Sequence, residues 1–170
     1  FDHWNRILDY LGDNYTAQER FFRQYYNAFR ENLKSIYQVP VATRSNLIHI
    51  YEKLINDNAK IFLENINEAA RLYSLLLLRN QDDALKALEK NLGEHLRDLE
   101  RIQGATSYLL MLYLLVRKDE MGLNNTHLSK IVSILVRFFV RRNLTDIPPT
   151  RDLTRLFMTI IDNRARDTGD

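Results

Sequence analysis

From Thr43 to about Arg79 the chain runs without a glycine or a proline, and its apolar residues hold helical spacing throughout. Leu47, Ile50, Tyr51 and Leu54 form one stripe; Phe62, Ile66, Ala69, Tyr73 and Leu77 form the next. Steps of three and four residues put such side chains on one face of a helix, whereas a strand needs alternation. A straight helix of that span would be about 50 Å long, at 1.5 Å per residue, which exceeds the width of a small domain. A kink or break is therefore expected at Asn56 to Asn58, where short polar side chains compete for backbone hydrogen bonds.

The same spacing recurs on both sides. A first helix is expected in "DHWNRILDYLG", stopped by Gly12. The segment "TAQERFFRQYYNAFRENLKSI" carries a T-x-x-E capping box in Thr16 and Glu19 and a stripe of Phe22, Tyr25, Tyr26, Phe29, Leu33 and Ile36. Pro40 ends it, with Val39 extended. A charged amphipathic helix follows at "DDALKALEKNLGEHLRDLERI". Beyond Gly104, "TSYLLMLYLLVRK" is apolar on most sides, as the most buried helix should be. Asn124 to Thr126 supply caps for "HLSKIVSILVRFFVRR", with Leu128, Ile131, Val132, Leu135 and Phe139 on one face. A last helix starts after Pro148 and Pro149 with Thr150 as its cap, Asp152 favourable at its N-terminus, and a stripe of Leu153, Leu156, Phe157 and Ile160. With no repeat and no alternating pattern, residues 1–170 read as a single all-α domain, one bundle of six to eight helices with no sheet.

Composition narrows the chemistry. The absence of cysteine removes disulfides, thiolate metal sites and thiol nucleophiles, as suits a reducing cytoplasm. The apolar stretches fall short of the roughly 20 residues that span a bilayer. The opening on Phe1 and the polar end "RARDTGD" suggest a fragment of a longer protein. Net charge is only +2, but from Gly122 onward eight Lys/Arg stand against five Asp/Glu, making the last third the basic one. His3, His49, His95 and His127 are scattered singly, without metal-ligand spacing. Glu94 and His95 are adjacent rather than at the Glu-x-x-His spacing of di-iron bundles. Five scattered glycines write no phosphate loop and no G-x-S-x-G elbow. Arg23 and Arg30 alternate with aromatics in "RFFRQYYNAFR", a pattern able to stack bases, although the helical spacing favours core packing. The chain alone is therefore read as non-enzymatic, without a cofactor.

One segment is unusual. In "LVRFFVRRNLTDIPPTRDLTRLF" an apolar helix ends in Arg141 and Arg142, meets two prolines and restarts with Arg151 and Arg155. Arg142 falls fourteen residues after Leu128, four turns later, back above the buried stripe. Such an arginine needs a partner or a cleft. It either closes the helix C-terminus on its free carbonyls or presents a fixed corner to phosphate, nucleic acid or another domain. Together with "WNRIL", "EAARLYSLLL" and "GATSYLLMLYLL", taken in order, this segment resembles the helical region of GmrSD-type restriction proteins. Those are modification-dependent (type IV) systems with a ParB-like nucleotidase domain.

The resemblance implies an N-terminal nucleotide-binding domain with an Asp-Gly-Gln-Gln-Arg-like motif, often followed by an HNH-type nuclease domain. Neither motif is written in this chain, so no catalytic residue carries over, and only Arg141 and Arg142 map onto a family motif. The expected role is a scaffold and coupling domain in anti-phage defence, packed against the other domains and touching DNA through Arg137, Arg141, Arg142, Arg151 and Arg155. It predicts an exposed apolar or arginine-lined patch. The alternative is a stand-alone binding or dimerisation module of a regulator, with a closed apolar pocket among Tyr73, Tyr108 and Tyr113 or a two-fold helix–helix interface. Direct DNA binding would instead gather Arg137, Arg141, Arg151, Arg155, Arg164 and Arg166 on one face.

Overall fold

A computed structural model of the chain describes residues 2–34, 36, 39–80 and 82–167, with the backbone alone at 2, 57, 166 and 167. The described residues form seven α-helices and two short 3-10 helices, with no strand. The α-helices are α1 (Asp2–Leu11), α2 (Tyr15–Leu33), α3 (Leu47–Leu76), α4 (Lys86–Arg101), α5 (Tyr108–Val116), α6 (Asn125–Thr145) and α7 (Thr150–Asp167). The 3-10 turns, Asp83–Leu85 and Gly104–Ser107, lead into α4 and α5.

Helix α5 is the axis of the bundle. Every residue from Tyr108 to Leu115 is buried, and α2, α3 and α7 all pack on it. The outer pairs are α1 on α3 and α4 on α6. Gly104 admits α5 into this centre: a Cβ there would stand 2.3 Å from Leu99 Cδ1. The expected kink in α3 lies at Asn58, whose φ of −150° and ψ of 83° are extended. Its side-chain oxygen accepts the Ile61 N–H at 3.3 Å, so Asn58 caps the second half of the helix. The bend brings the rings of Tyr51 and Phe62 to 5.8 Å although they stand on opposite sides of it.

Four local expectations are corrected. Helix α2 is capped by Asn14, not by Thr16: the Asn14 side chain accepts the N–H groups of Thr16 and Ala17. Asparagine is at least as good a cap as threonine and stands where the chain leaves Gly12. On α2, Phe21 is fully buried whereas Phe22 is half-buried, between Trp4 and Tyr51. On α7, the core face is Leu153, Phe157, Met158 and Ile161, while Leu156 and Ile160 are exposed. Packing against both α5 and α2 rotates the buried face by about one residue. Thr150 is the first helical residue of α7 rather than its cap.

Candidate functional site

An open cleft of about 1100 Å³ lies between α2 and α7. Helix α2 contributes Arg20, Arg23, Gln24 and Asn27 to it. These residues stand at i, i+3, i+4 and i+7, so one helical face carries them all. Residues 41–43, Leu77, the stretch from Glu100 to Leu109 and the first two turns of α7 contribute the other lining side chains, the last bringing Thr150, Arg151, Asp152, Thr154 and Arg155. Four arginines thus face two carboxylates, Glu100 and Asp152.

The surrounding elements are pinned to α2 by its buried amides. Gln24 Nε2 donates to the Ala105 carbonyl at 2.8 Å, and Gln24 Oε1 accepts from the Tyr73 hydroxyl at 2.7 Å. Asn27 Oδ1 accepts the Ala42 N–H at 2.7 Å, while its Nδ2 donates to the Ala42 carbonyl at 3.3 Å. Glu19 divides its charge between Arg23, 3.0 Å away, and Arg44, 3.1 Å away. Among the described residues, neither the Arg20 nor the Arg155 side chain makes a hydrogen bond or ion pair. The charge of Arg20 reaches the phenols beneath. Burial raises the Tyr73 and Tyr108 pKa values, the latter to about 12, and Arg20 opposes both shifts.

The expected arginines separate. Arg151 and Arg155 line this cleft with Arg20 and Arg23. Arg137 lines a small groove between α4 and α6, with His95, Lys130 and Ile134. Arg141 and Arg164 are exposed, and the Arg166 side chain lies outside the described residues. Arg142 is consumed at the α6–α7 corner. Its Nε donates to the Pro148 carbonyl at 3.2 Å and its Nη2 to the Thr150 hydroxyl. It also pairs with Asp146 at 2.9 Å, with only 14% of the side chain exposed. It therefore reaches past its own helix end to α7, rather than only capping carbonyls. Arg30 pairs with Asp162 of α7, and Arg23 lines the cleft.

Arg20 was not singled out from sequence. Its signal was the polar stripe Arg20, Arg23, Gln24 and Asn27 running beside the aromatic one on the same helix. Tyr73, Tyr108 and Tyr113 pack into the core instead of enclosing an apolar pocket: Tyr73 lies against Phe21 and Tyr108, and Tyr113 against Phe29.

The solvent face of α6 is the second feature. Ile134, Arg137, Arg141 and Leu144, spaced three, four and three apart, lie opposite the buried Leu128, Val132, Leu135 and Phe139. Ile134 is 61% and Leu144 83% exposed, with Lys130 on the same side and no carboxylate anywhere in the helix. Among the described residues no helix is long and apolar enough to cross a membrane, and no His/Asp/Glu group could hold a metal ion. No family model, curated protein or solved structure matches the chain.

Proposed function

We propose that the chain is the helical scaffold and coupling domain of a modification-dependent restriction protein of the GmrSD type, which it resembles in sequence. In this reading α6 docks the nucleotidase domain, and Arg137 and Arg141 approach DNA at the edge of that contact. The observation that carries the reading is the outward face of α6. A helix in contact with water alone gains nothing from an isoleucine and a leucine opposite its core side; a docked surface buries them. Because every charge on that face is positive, the partner surface is apolar with an acidic rim. Arg142 and Asp146 hold the end of the helix against α7, so the face is presented from a fixed corner.

Phage plating on cells carrying the complete gene tests this. Ile134→Asp and Leu144→Asp are expected to abolish phage restriction while the purified variants keep the helical spectrum and melting temperature of the native protein. Wild-type restriction by the double variant would remove the reading, as would a complete gene product without a nucleotidase domain.

A further inference from the structure

The α2–α7 cleft calls for a different occupant. We propose that it is a binding site for a compact, multiply charged phosphate ligand of nucleoside di- or triphosphate size, with the phosphates held by Arg20, Arg23, Arg151 and Arg155. This assignment does not depend on the docking role of α6.

Charge comes first. Wherever an arginine serves the fold, it has a partner: Arg30 has Asp162, Arg71 has Glu68 and Asp82, Arg117 has Glu120, and Arg142 has Asp146. In the cleft, Arg20 and Arg155 have no such partner among the described residues, Arg151 meets only its neighbour Asp152 at 3.8 Å, and Arg23 shares Glu19 with Arg44. Two helices far apart in sequence thus bring four like charges to one cleft, a cost that Glu19, Glu100 and Asp152 offset only in part. A bound anion recovers it, and the flat guanidinium fork matches phosphate oxygens two at a time. The start of α7 adds its partial positive charge on the same side. Glu100 and Asp152 set a lower limit on the ligand's charge. A singly charged anion meets repulsion from both, whereas a di- or triphosphate engages several arginines at once.

Shape comes second. A cleft of about 1100 Å³ is at the upper end of small-ligand sites. It is a half-open concavity, which suits a compact ligand better than a DNA duplex, whose binding calls for an extended basic surface. Val41 and Leu77 are half-buried and offer an apolar wall for the part of the ligand that carries no phosphate. Tyr108 is buried, so its ring offers no open stacking platform of the kind that single-strand binders use. The Gln24–Ala105 and Asn27–Ala42 hydrogen bonds hold the surrounding elements in place, and little ordering remains to be done on binding.

Calorimetric titration with inorganic tripolyphosphate, ATP and a thymidine oligonucleotide tests the assignment. Tripolyphosphate and ATP are expected to bind, with affinity falling about tenfold or more in Arg20→Gln and in Arg155→Gln and unchanged in Arg6→Gln, an exposed position on α1 outside the cleft. Arg155 is exposed on α7, so its variant keeps the test valid should Arg20→Gln fail to fold. Two outcomes overturn the proposal: absence of tripolyphosphate and ATP binding, whether or not the oligonucleotide binds, and binding that survives both cleft substitutions.

Discussion

Arg141 and Arg142 are neighbours in sequence with unlike surroundings. Arg141 stands in solvent, whereas Arg142 spends its guanidinium on Pro148, Thr150 and Asp146. Removing a half-buried cation with several acceptors costs more than removing an exposed one. In urea denaturation, Arg142→Ala should therefore destabilise the protein by about 1.5–3 kcal/mol, in the range of hydrogen bonds to charged groups. Arg141→Ala should stay within about 0.5 kcal/mol of the native protein. Equal losses would show that the corner does not depend on Arg142. Deeper in, Tyr73 donates its hydroxyl to Gln24 at 2.7 Å. Tyr73→Phe leaves a buried carbonyl without that donor, at an expected cost of about 1–3 kcal/mol. It should also loosen Gln24, which holds Ala105 beside the cleft. An unchanged denaturation midpoint would mean that water takes the hydroxyl's place.

The elements show where sequence was legible and where it was not. Periodicity located α3, α5 and α6 because it records which residues must leave water, and the break at Asn58 was visible because asparagine tolerates extended backbone while capping the next turn. The cap of α2 and the buried face of α7 were misplaced by one or two residues. Local signals there are nearly degenerate: Asn14 and Thr16 are both competent caps, and Leu156 is as apolar as Phe157. Packing on α5 and α2 decides between them. The cleft was half legible for the same reason. Arg151 and Arg155 stood out beside two prolines, whereas Arg20 is an ordinary surface residue until α7 is folded across α2. The Asn58 cap can be tested by itself. Asn58→Ala raises helix propensity, yet the contact of Tyr51 with Phe62 requires the bend. The loss of the cap should win, destabilising by about 1 kcal/mol, while Asn58→Asp or Ser retains most of the stability. A stabilised alanine variant would show that the kink is imposed on α3 rather than supported by its sequence.

At the scale of the whole molecule, the core is tyrosine-rich at its centre, and this sets a limit on the alkaline side. Burial raises the pKa of Tyr25 and Tyr108 to about 12, and those of Tyr51 and Tyr73 well above the ordinary tyrosine value of 10.0. Ionising any of them in place would put a phenolate among α2, α3 and α5, so the folded state holds its protons more tightly than the unfolded chain. Where the unfolded state binds fewer protons, stability falls as pH rises. The tyrosine contribution is thus complete below about pH 10, where unfolded tyrosines remain protonated, and declines from there as pH rises toward and through the folded-state values. Tyr25, Tyr73 and Tyr108 belong to one buried core, with Tyr51 packed against it. In a titration followed at once by tyrosinate absorbance and helical circular dichroism, the last part of the tyrosinate signal, that of these buried phenols, should therefore appear only as the helical signal is lost. Full tyrosinate formation in a chain that keeps its helical spectrum would mean that hydroxide reaches these rings without unfolding, and that the centre of the bundle is open where its packing says it is closed.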